Sequence, residues 1–304
     1  MVGHRGQGSG HRLNQATQVA GDPRSVRYLH RPMTDPAFTI ELSEVESNRF
    51  GYRIGRARPE TPVTGPDLRR AILDGAYDIV IVRTPASWKR QAVELAAIEG
   101  YVAFTADNLT YWEWPGQQVQ ASPESAMPEL VMPEGLQLCC SQRVEDIVEI
   151  VRDSFPGYKN HYSANPLFDT AKSLEGYCEW VATLMAADST TLMVVDEHGD
   201  GLGFAITDWS GEKPDLTLAS VRFRPKRAPD GSRRPPVRRP SRLGQGLYAH
   251  LIAGSVELAI KRERLPISTS TQVDNTTVIR NWAMLGFVPV DTVSTFHVVR
   301  EDLL

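Results

Sequence analysis

Apolar and polar positions alternate with period two in several short stretches between residues 38 and 114, and stretches with helical spacing lie between them. Period-two alternation is typical of half-buried strands, whereas a continuous apolar run such as IVIV is typical of an internal strand. The pattern predicts a small α/β layer. Its strands are expected at residues 38–45, 50–57 and 77–85 and as a pair within 101–114, and its helices at 65–76 and 88–100.

The second half of the chain begins with two stretches whose apolar side chains share one helical face, the first with Ser141 as its N-cap. Three strands separated by turn residues follow and predict an antiparallel meander. The later part predicts a long helix, a strand, a helix capped by Asn275 and a last strand pair. The predicted bounds are 141–155 and 169–187 for the first two helices, 190–197, 201–209 and 216–223 for the meander, and 247–264, 266–273, 275–286 and 287–300 for the rest.

These elements divide the chain into two α/β domains joined by a linker rich in Pro, Gln and Ser. A polar, Gly-rich stretch without a sustained period precedes them and is expected to be a mobile tail. The expected bounds are 1–35 for the tail, 36–115 for the N-terminal domain, 116–140 for the linker and 141–304 for the C-terminal domain. A weak internal repeat relates residues 97–112 to residues 283–298, since each has a helix-ending Gly followed by an aromatic residue.

The composition of the 304 residues, 41% hydrophobic and 23% charged, is that of a water-soluble protein. Neither an apolar run long enough to span a bilayer nor an apolar leader is apparent, so we expect a cytoplasmic protein without a membrane partner. The three cysteines lack CxxC spacing, and the seven histidines do not pair at helical spacing. We therefore expect no metal.

Charge is concentrated in one segment. Nine basic residues and one acid lie between Arg222 and Arg242, although the whole chain carries a net charge of −4. Such a segment favours an anionic partner. The alternative is a solvated surface insertion with little fixed structure.

Gly244 and Gly246 stand where the long helix is expected to begin. Glycines there leave backbone N–H groups uncovered, and these groups together with the helix dipole can hold a phosphate. The alternative is that the glycines only permit a tight entry turn.

The sequences SVRFRP, SRLGQG and TQVDNTTVIRNWAMLGF, in this order and among these elements, resemble the Gcn5-related N-acetyltransferase superfamily. The two-domain arrangement is most similar to the branch typified by TDP-fucosamine N-acetyltransferase. The resemblance covers nearly everything from residue 38 onward. It implies an α/β fold with a mixed central sheet flanked by helices, preceded by a smaller, incomplete domain of the same kind.

The resemblance also implies an acyl donor, acetyl-CoA or another acyl-CoA, bound where the strand at 217–221 splays from the strand at 266–273. The backbone N–H of Ala219 or Ser220 would polarise the acyl carbonyl. The residues implied to contact the donor are Val221, Arg222, Arg239, Arg242, Gly244, Gln245, Gly246, Leu247 and Asn275.

Three features depart from the family pattern. Ser241 stands where the motif has Arg or Gln, and the link from Val221 to Gly244 is longer than a tight turn by about 15 residues. Trp282 stands where this branch commonly has a general-acid Tyr, and an indole N–H cannot give up a proton at useful pH. Tyr248 or His297 is then the candidate acid, unless the thiolate leaves unassisted. Trp282 itself is either part of the catalytic site or a buried wedge.

On the acceptor side, the candidates are His161 and Tyr162, in a loop expected to overhang the slot, and Asp208 at a strand end. We expect an N-acyltransferase acting on a small-molecule amine, such as a nucleotide-linked amino sugar or a secondary metabolite. One alternative donor is aminoacyl-tRNA, whose phosphates the basic segment would bind. A further donor is an acidic acyl carrier protein, and a degenerate enzyme that only binds a ligand is the non-catalytic alternative.

Overall fold

The structure is a computed structural model and describes residues 38–116, 127–222 and 243–304, with side chains in the last range from residue 246. The predicted tail and all of the basic segment except Arg222 lie outside these ranges. The described strands are β1 Glu41–Leu42, β2 Ile54–Ala57, β3 Ile79–Pro85, β4 Tyr101–Trp114, β5 Leu136–Cys140, β6 Ser189–Asp196, β7 Gly201–Asp208, β8 Asp215–Val221, β9 Ile267–Gln272 and β10 Val288–Arg300. The helices are α1 Glu44–Phe50, α2 Gly65–Asp74, α3 Gln91–Ala96, α4 Val144–Ser154, α5 Thr170–Ala186, α6 Leu243–Lys261 and α7 Thr276–Met284.

All described strands belong to one mixed sheet in the order β1-β2-β3-β10-β4-β9-β8-β7-β6-β5. Parallel pairs join β2 to β3 and β8 to β9, and the remaining pairs are antiparallel. The predicted fold class, a mixed central sheet flanked by helices, is confirmed. The strands of both predicted domains belong to this one sheet, and the last residues of the predicted linker form its edge strand, β5.

The centre of the sheet is an exchange of strands between the two halves of the chain. Strand β10 lies between β3 and β4, and β4 in turn pairs with β9. The internal repeat corresponds to this exchange, because residues 101–112 and 288–298 lie in β4 and β10, which pair with each other. The Gly before each strand has a left-handed backbone, with φ of +79° at Gly100 and +86° at Gly286.

Several local predictions were wrong. Residues 101–114 and 287–300 were expected to be strand pairs, but within these ranges the structure has one long strand each, β4 and β10. β-Bulges at Ala106 and Val290 take the place of the expected turns. Helix α1, Glu44–Phe50, was not predicted: it takes the last two residues of the expected strand 38–45 and the first residue of the expected strand 50–57. Ser141 is not the N-cap of α4, because that helix starts after Arg143.

Helices cover both faces of the sheet. Helix α6 is buried along most of its length, with Leu251, Ile252 and Val256 fully enclosed against β6 to β8. Helices α4 and α5 cover the opposite face of the same strands. Full burial of one such aliphatic side chain contributes about 1.5–3 kcal/mol, so these two layers fix the strands that border the site.

Candidate functional site

Strands β8 and β9 pair only at their beginnings. Asp215 lies opposite Ser268 and Leu216 opposite Thr269, after which the ladder between the strands ends. A bulge in β8 leaves Thr217 without a partner on β7 at the same point. The strands therefore diverge and leave an opening between residues 217–221 and 269–272, which we call the slot. This is the splay expected from the sequence.

Two backbone N–H groups of β8 point into the slot. The N–H of Arg222 donates to the carbonyl of Leu202 on β7 at 2.7 Å. Successive N–H groups of a strand point to opposite sides, and residues 218–221, which lead up to Arg222, are in register with β7. The N–H groups of Val221 and Ala219 therefore face away from β7, toward the slot. The backbone N–H of Ala219, and not that of Ser220, therefore points in the direction expected of the donor that would polarise the acyl carbonyl.

The slot opens into one large cavity of about 1690 Å³. At its other end the cavity is bounded by polar residues of the first half of the chain and of the loop before α5, a region we call the chamber. The chamber residues are Arg56, Arg83, Asp107, His161 and Tyr162. A narrow slot leading to a polar chamber can hold one ligand in each part.

Only some of the residues predicted to contact the donor line this cavity. Val221, Leu247 and Asn275 line it. Gly244, Gln245 and Gly246 lie in the first turn of α6, so the long helix starts where the sequence predicted a phosphate site. Arg239 and Arg242 lie outside the described residues.

Two of these residues have local partners. The buried guanidinium of Arg222 also borders the cavity, but it is ion-paired with Asp153 at 3.0 Å and Glu149 at 3.7 Å. Those carboxylates of α4 already neutralise its charge. The Asn275 side chain does not cap α7, because it donates to the hydroxyl of Thr271 at 3.0 Å.

Tyr248 and Trp282 lie at the wall of the slot. Burial raises the pKa of Tyr248, and its neighbour Trp282 only partly offsets this effect. The Tyr248 hydroxyl is therefore a hydrogen-bond donor at neutral pH and a poor acid. Trp282 is buried against Trp112 and Phe287, as a wedge would be. Its indole N–H interacts with the Tyr248 hydroxyl but has no hydrogen bond of regular geometry to the described residues.

Tyr162 belongs to a buried charged cluster. Its hydroxyl donates to Glu46 at 2.6 Å, and the same carboxylate accepts two hydrogen bonds of 2.6 Å from Arg56. These hydrogen bonds from Arg56 and Tyr162 outweigh the effect of burial and hold the pKa of Glu46 below its ordinary value. The cluster joins α1, β2 and the loop before α5, and its charges are satisfied internally.

His161 and His297 form a buried chain with a fixed proton arrangement. Asn165 accepts from the N–H of Leu167, so its amide NH₂ faces Nδ1 of His297 at 3.0 Å. His297 must then carry its proton on Nε2, which lies 3.0 Å from Nδ1 of His161. Burial, with nearby arginines, lowers the pKa of His297 to about 3, and burial with the neighbouring His297 lowers that of His161. Both rings are neutral, and His161 presents Nε2–H rather than a lone pair.

A row of three polar side chains crosses the strand exchange. Thr295 on β10 lies directly opposite Arg83 on β3 and opposite Asp107 on β4. Nε of Arg83, Oγ1 of Thr295 and both carboxylate oxygens of Asp107 are buried without a hydrogen bond of regular geometry to the described residues. Burial raises the pKa of Asp107, and its polar neighbours lower it only in part. A carboxylate of this kind is suited to accept a proton.

Arg83 and Asp107 were not among the site residues predicted from the sequence. A signal was present for Arg83, since it shares a strand face with Ile79 and Ile81, which are buried. A charged residue on such a face is unusual. Asp208, expected near the acceptor, does not line the cavity, because it pairs with Asp215 at the closed end of the slot.

No helix in the described ranges is long and apolar enough to cross a membrane. Within the same ranges, His, Cys, Asp and Glu side chains do not form a group of three able to hold a metal ion.

No protein-family profile matches the sequence, and no curated protein matches it. Solved structures do match. A conserved protein of unknown function from Staphylococcus epidermidis has a TM-score of 0.54 at 13% identity, over 88% of this chain and 93% of its own. A GCN5-related N-acetyltransferase from Sphaerobacter thermophilus has a TM-score of 0.52 at 14% identity, over 80% and 72%. A tandem GNAT protein from the clavulanic acid biosynthesis pathway has a TM-score of 0.51 at 14% identity, over 81% and 75%. The chain therefore has the fold of the GCN5-related N-acetyltransferases, and its place in the branch typified by TDP-fucosamine N-acetyltransferase stays a prediction.

Proposed function

We propose that this protein is an N-acyltransferase that moves an acyl group, most simply acetyl, from acyl-CoA to the amine of a small molecule. The divergence of β8 and β9 carries this proposal, because it directs the free N–H groups of Ala219 and Val221 into a slot that leads to a polar chamber. One structural neighbour belongs to the clavulanic acid pathway, which supports a small-molecule acceptor.

The slot fits the extended arm of a CoA thioester. Apolar side chains of β8, α6 and α7, including Leu216, Leu247 and Val278, line it, and the start of α6 lies beside it. When bound, the thioester supplies an activated acyl group. The N–H of Ala219 is placed to polarise the acyl carbonyl, the type of interaction that contributes most to such reactions.

Asp107 is the proposed proton acceptor. The acceptor amine must lose a proton as its nitrogen bonds to the acyl carbon and the carbon–sulfur bond breaks. His161 cannot take that proton without rearranging its chain, since its Nδ1 faces the donor Nε2–H of His297. The carboxylate of Asp107, which has no hydrogen bond of regular geometry to the described residues, is the group we propose to take it. The Tyr248 hydroxyl is available to donate a hydrogen bond to the departing sulfur.

Replacement of Ala219 by proline tests the donor site. Proline removes the N–H that faces the slot and leaves the hydrogen bonds to β7 in place. We expect kcat to fall by about 10²–10³-fold, the loss typical of one carbonyl-polarising donor. Ala219→Ser is the matched control, since it retains the N–H. Acetyl-CoA binding by calorimetry and thiol release with a panel of amines are the measurements. Absence of acetyl-CoA binding by the wild type would reject the proposal.

The basic segment remains a separate proposal. Aminoacyl-tRNA or an acyl carrier protein is the partner its charge would suit, but residues 223–242 lie outside the described part of the chain. Arg222, the described member, already pairs with carboxylates of α4. The observations on the slot therefore favour CoA as the donor.

A further inference from the structure

Arg83 differs from the other arginines that border the cavity. Those are ion-paired: Arg49 with Glu179, Arg56 with Glu46 and Arg222 with Asp153. In the described part of the chain, no carboxylate lies within ion-pair distance of the Arg83 guanidinium, and its Nε has no hydrogen-bond partner. An enclosed cation without a counterion destabilises the folded state. Such an arrangement indicates a ligand that supplies the negative charge.

The carboxylate of Asp107 lies two strands away from Arg83, on the same face of the sheet. Arg83 and Asp107 both stand opposite Thr295, so their backbones are separated by two strand spacings, about 10 Å. The two charged groups do not form an ion pair, although each shifts the pKa of the other. The space between them is bordered by a cation at one end and an acid at the other, with Thr295 in the middle.

We propose that the chamber binds an amino acid as the acyl acceptor, with its carboxylate on Arg83 and its amine beside Asp107 and Thr295. This inference rests on the proposed acyl transfer and adds the class of acceptor. A carboxylate matches the single guanidinium in charge and can form two parallel hydrogen bonds with it. A phosphomonoester would bring a second negative charge next to Asp107, and a neutral amine would leave Arg83 without a counterion.

Matched pairs of amines test the proposal. The twenty proteinogenic L-amino acids and their carboxamides are compared as acceptors by thiol release from acetyl-CoA, since each pair differs only in the carboxylate. We expect at least one acid to be acetylated with kcat/KM about 100-fold above that of its carboxamide, as is typical when one partner of an enclosed charge pair is lost. The Arg83→Gln variant should remove this preference, mainly by raising KM. The control Arg70→Gln removes an exposed arginine and should preserve it.

The outcomes separate this inference from the proposed function. Acetylation of amines with no preference for the acid would overturn the amino-acid inference and leave acyl transfer standing, as would acetyl-CoA binding without turnover of any acid. Failure to bind acetyl-CoA would reject acyl transfer itself. The melting temperature of Arg83→Gln gives an independent check, because relief of an uncompensated charge should leave it unchanged or raised. A marked fall, with the acid preference intact, would make Arg83 a structural residue and refute the inference.

Discussion

Replacement of Asp107 by asparagine should make the protein more stable and less active. Both carboxylate oxygens are buried without a regular hydrogen bond, and the neighbours Thr295, Arg83 and Gln272 only partly offset the rise in its pKa. An unsatisfied buried polar group costs about 1–3 kcal/mol, more when it is charged. Asparagine keeps the shape and removes the charge but still has polar atoms to satisfy, so we expect a gain of about 1–2 kcal/mol at neutral pH. For a protein of this size the melting temperature would rise by roughly 2–6 °C.

The sign of the pH dependence follows from the raised pKa. The protonated form of Asp107 is favoured in the folded protein, so its contribution to stability is fully present below the ordinary pKa and is lost as pH rises through the folded pKa. The stability advantage of Asp107→Asn should therefore be constant above the folded pKa of Asp107 and shrink as pH is lowered through that pKa toward the ordinary one. In the same variant kcat/KM should fall by about 10²–10⁴-fold, the usual contribution of a general base.

Thermal unfolding at several pH values and thiol release from acetyl-CoA are the assays for this variant. The control is Asp291→Asn, which removes an exposed carboxylate of β10 outside the cavity and should change neither property. A destabilised Asp107→Asn protein would refute the claim that the carboxylate is uncompensated. Full activity would refute its role as the base.

Three further substitutions probe the remaining parts of the site. Thr295→Val keeps the side-chain shape and removes a hydroxyl that lacks a hydrogen bond of regular geometry; we expect little change in unfolding free energy, measured with denaturant, but a higher KM for the acceptor. Tyr248→Phe should lower kcat by about tenfold or less, because a thiolate leaves readily without an acid, and a loss of a thousandfold in steady-state kinetics would make the hydroxyl an essential acid. Replacement of the arginines at 233, 234, 238 and 239 by alanine should leave acetyl-CoA-dependent activity intact; loss of copurifying nucleic acid, seen as a lower 260/280 nm absorbance ratio, would instead support the tRNA alternative.

The slot could be predicted from the sequence because its determinants are local. The SVRF strand end, the Gly-Gln-Gly helix start and the strand before Asn275 follow one another along the chain, and the structure brings them together as the motifs imply. The chamber could not be predicted in this way. Arg83, Asp107 and Thr295 become neighbours only through the insertion of β10 between β3 and β4, and no local pattern specifies that pairing. The pattern was also ambiguous around Ala106 and Val290, where turn-forming neighbours such as Asn108 and Pro289 lie beside bulges in continuous strands.

The insertion of β10 between β3 and β4 also determines when the sheet can finish folding. All other strands of the sheet are synthesised before β10, yet β3 and β4 do not pair with each other and can be bridged only by it. Pairings so distant in sequence form slowly, and an unpaired strand edge favours aggregation until they do. Until β10 has been synthesised, the edges of β3 and β4 that it pairs with therefore have no partner strand. Thr295 comes to lie beside Arg83 and Asp107 only when β10 pairs with both strands. We expect nascent chains to remain inactive, and to depend on chaperones, until that strand is in place.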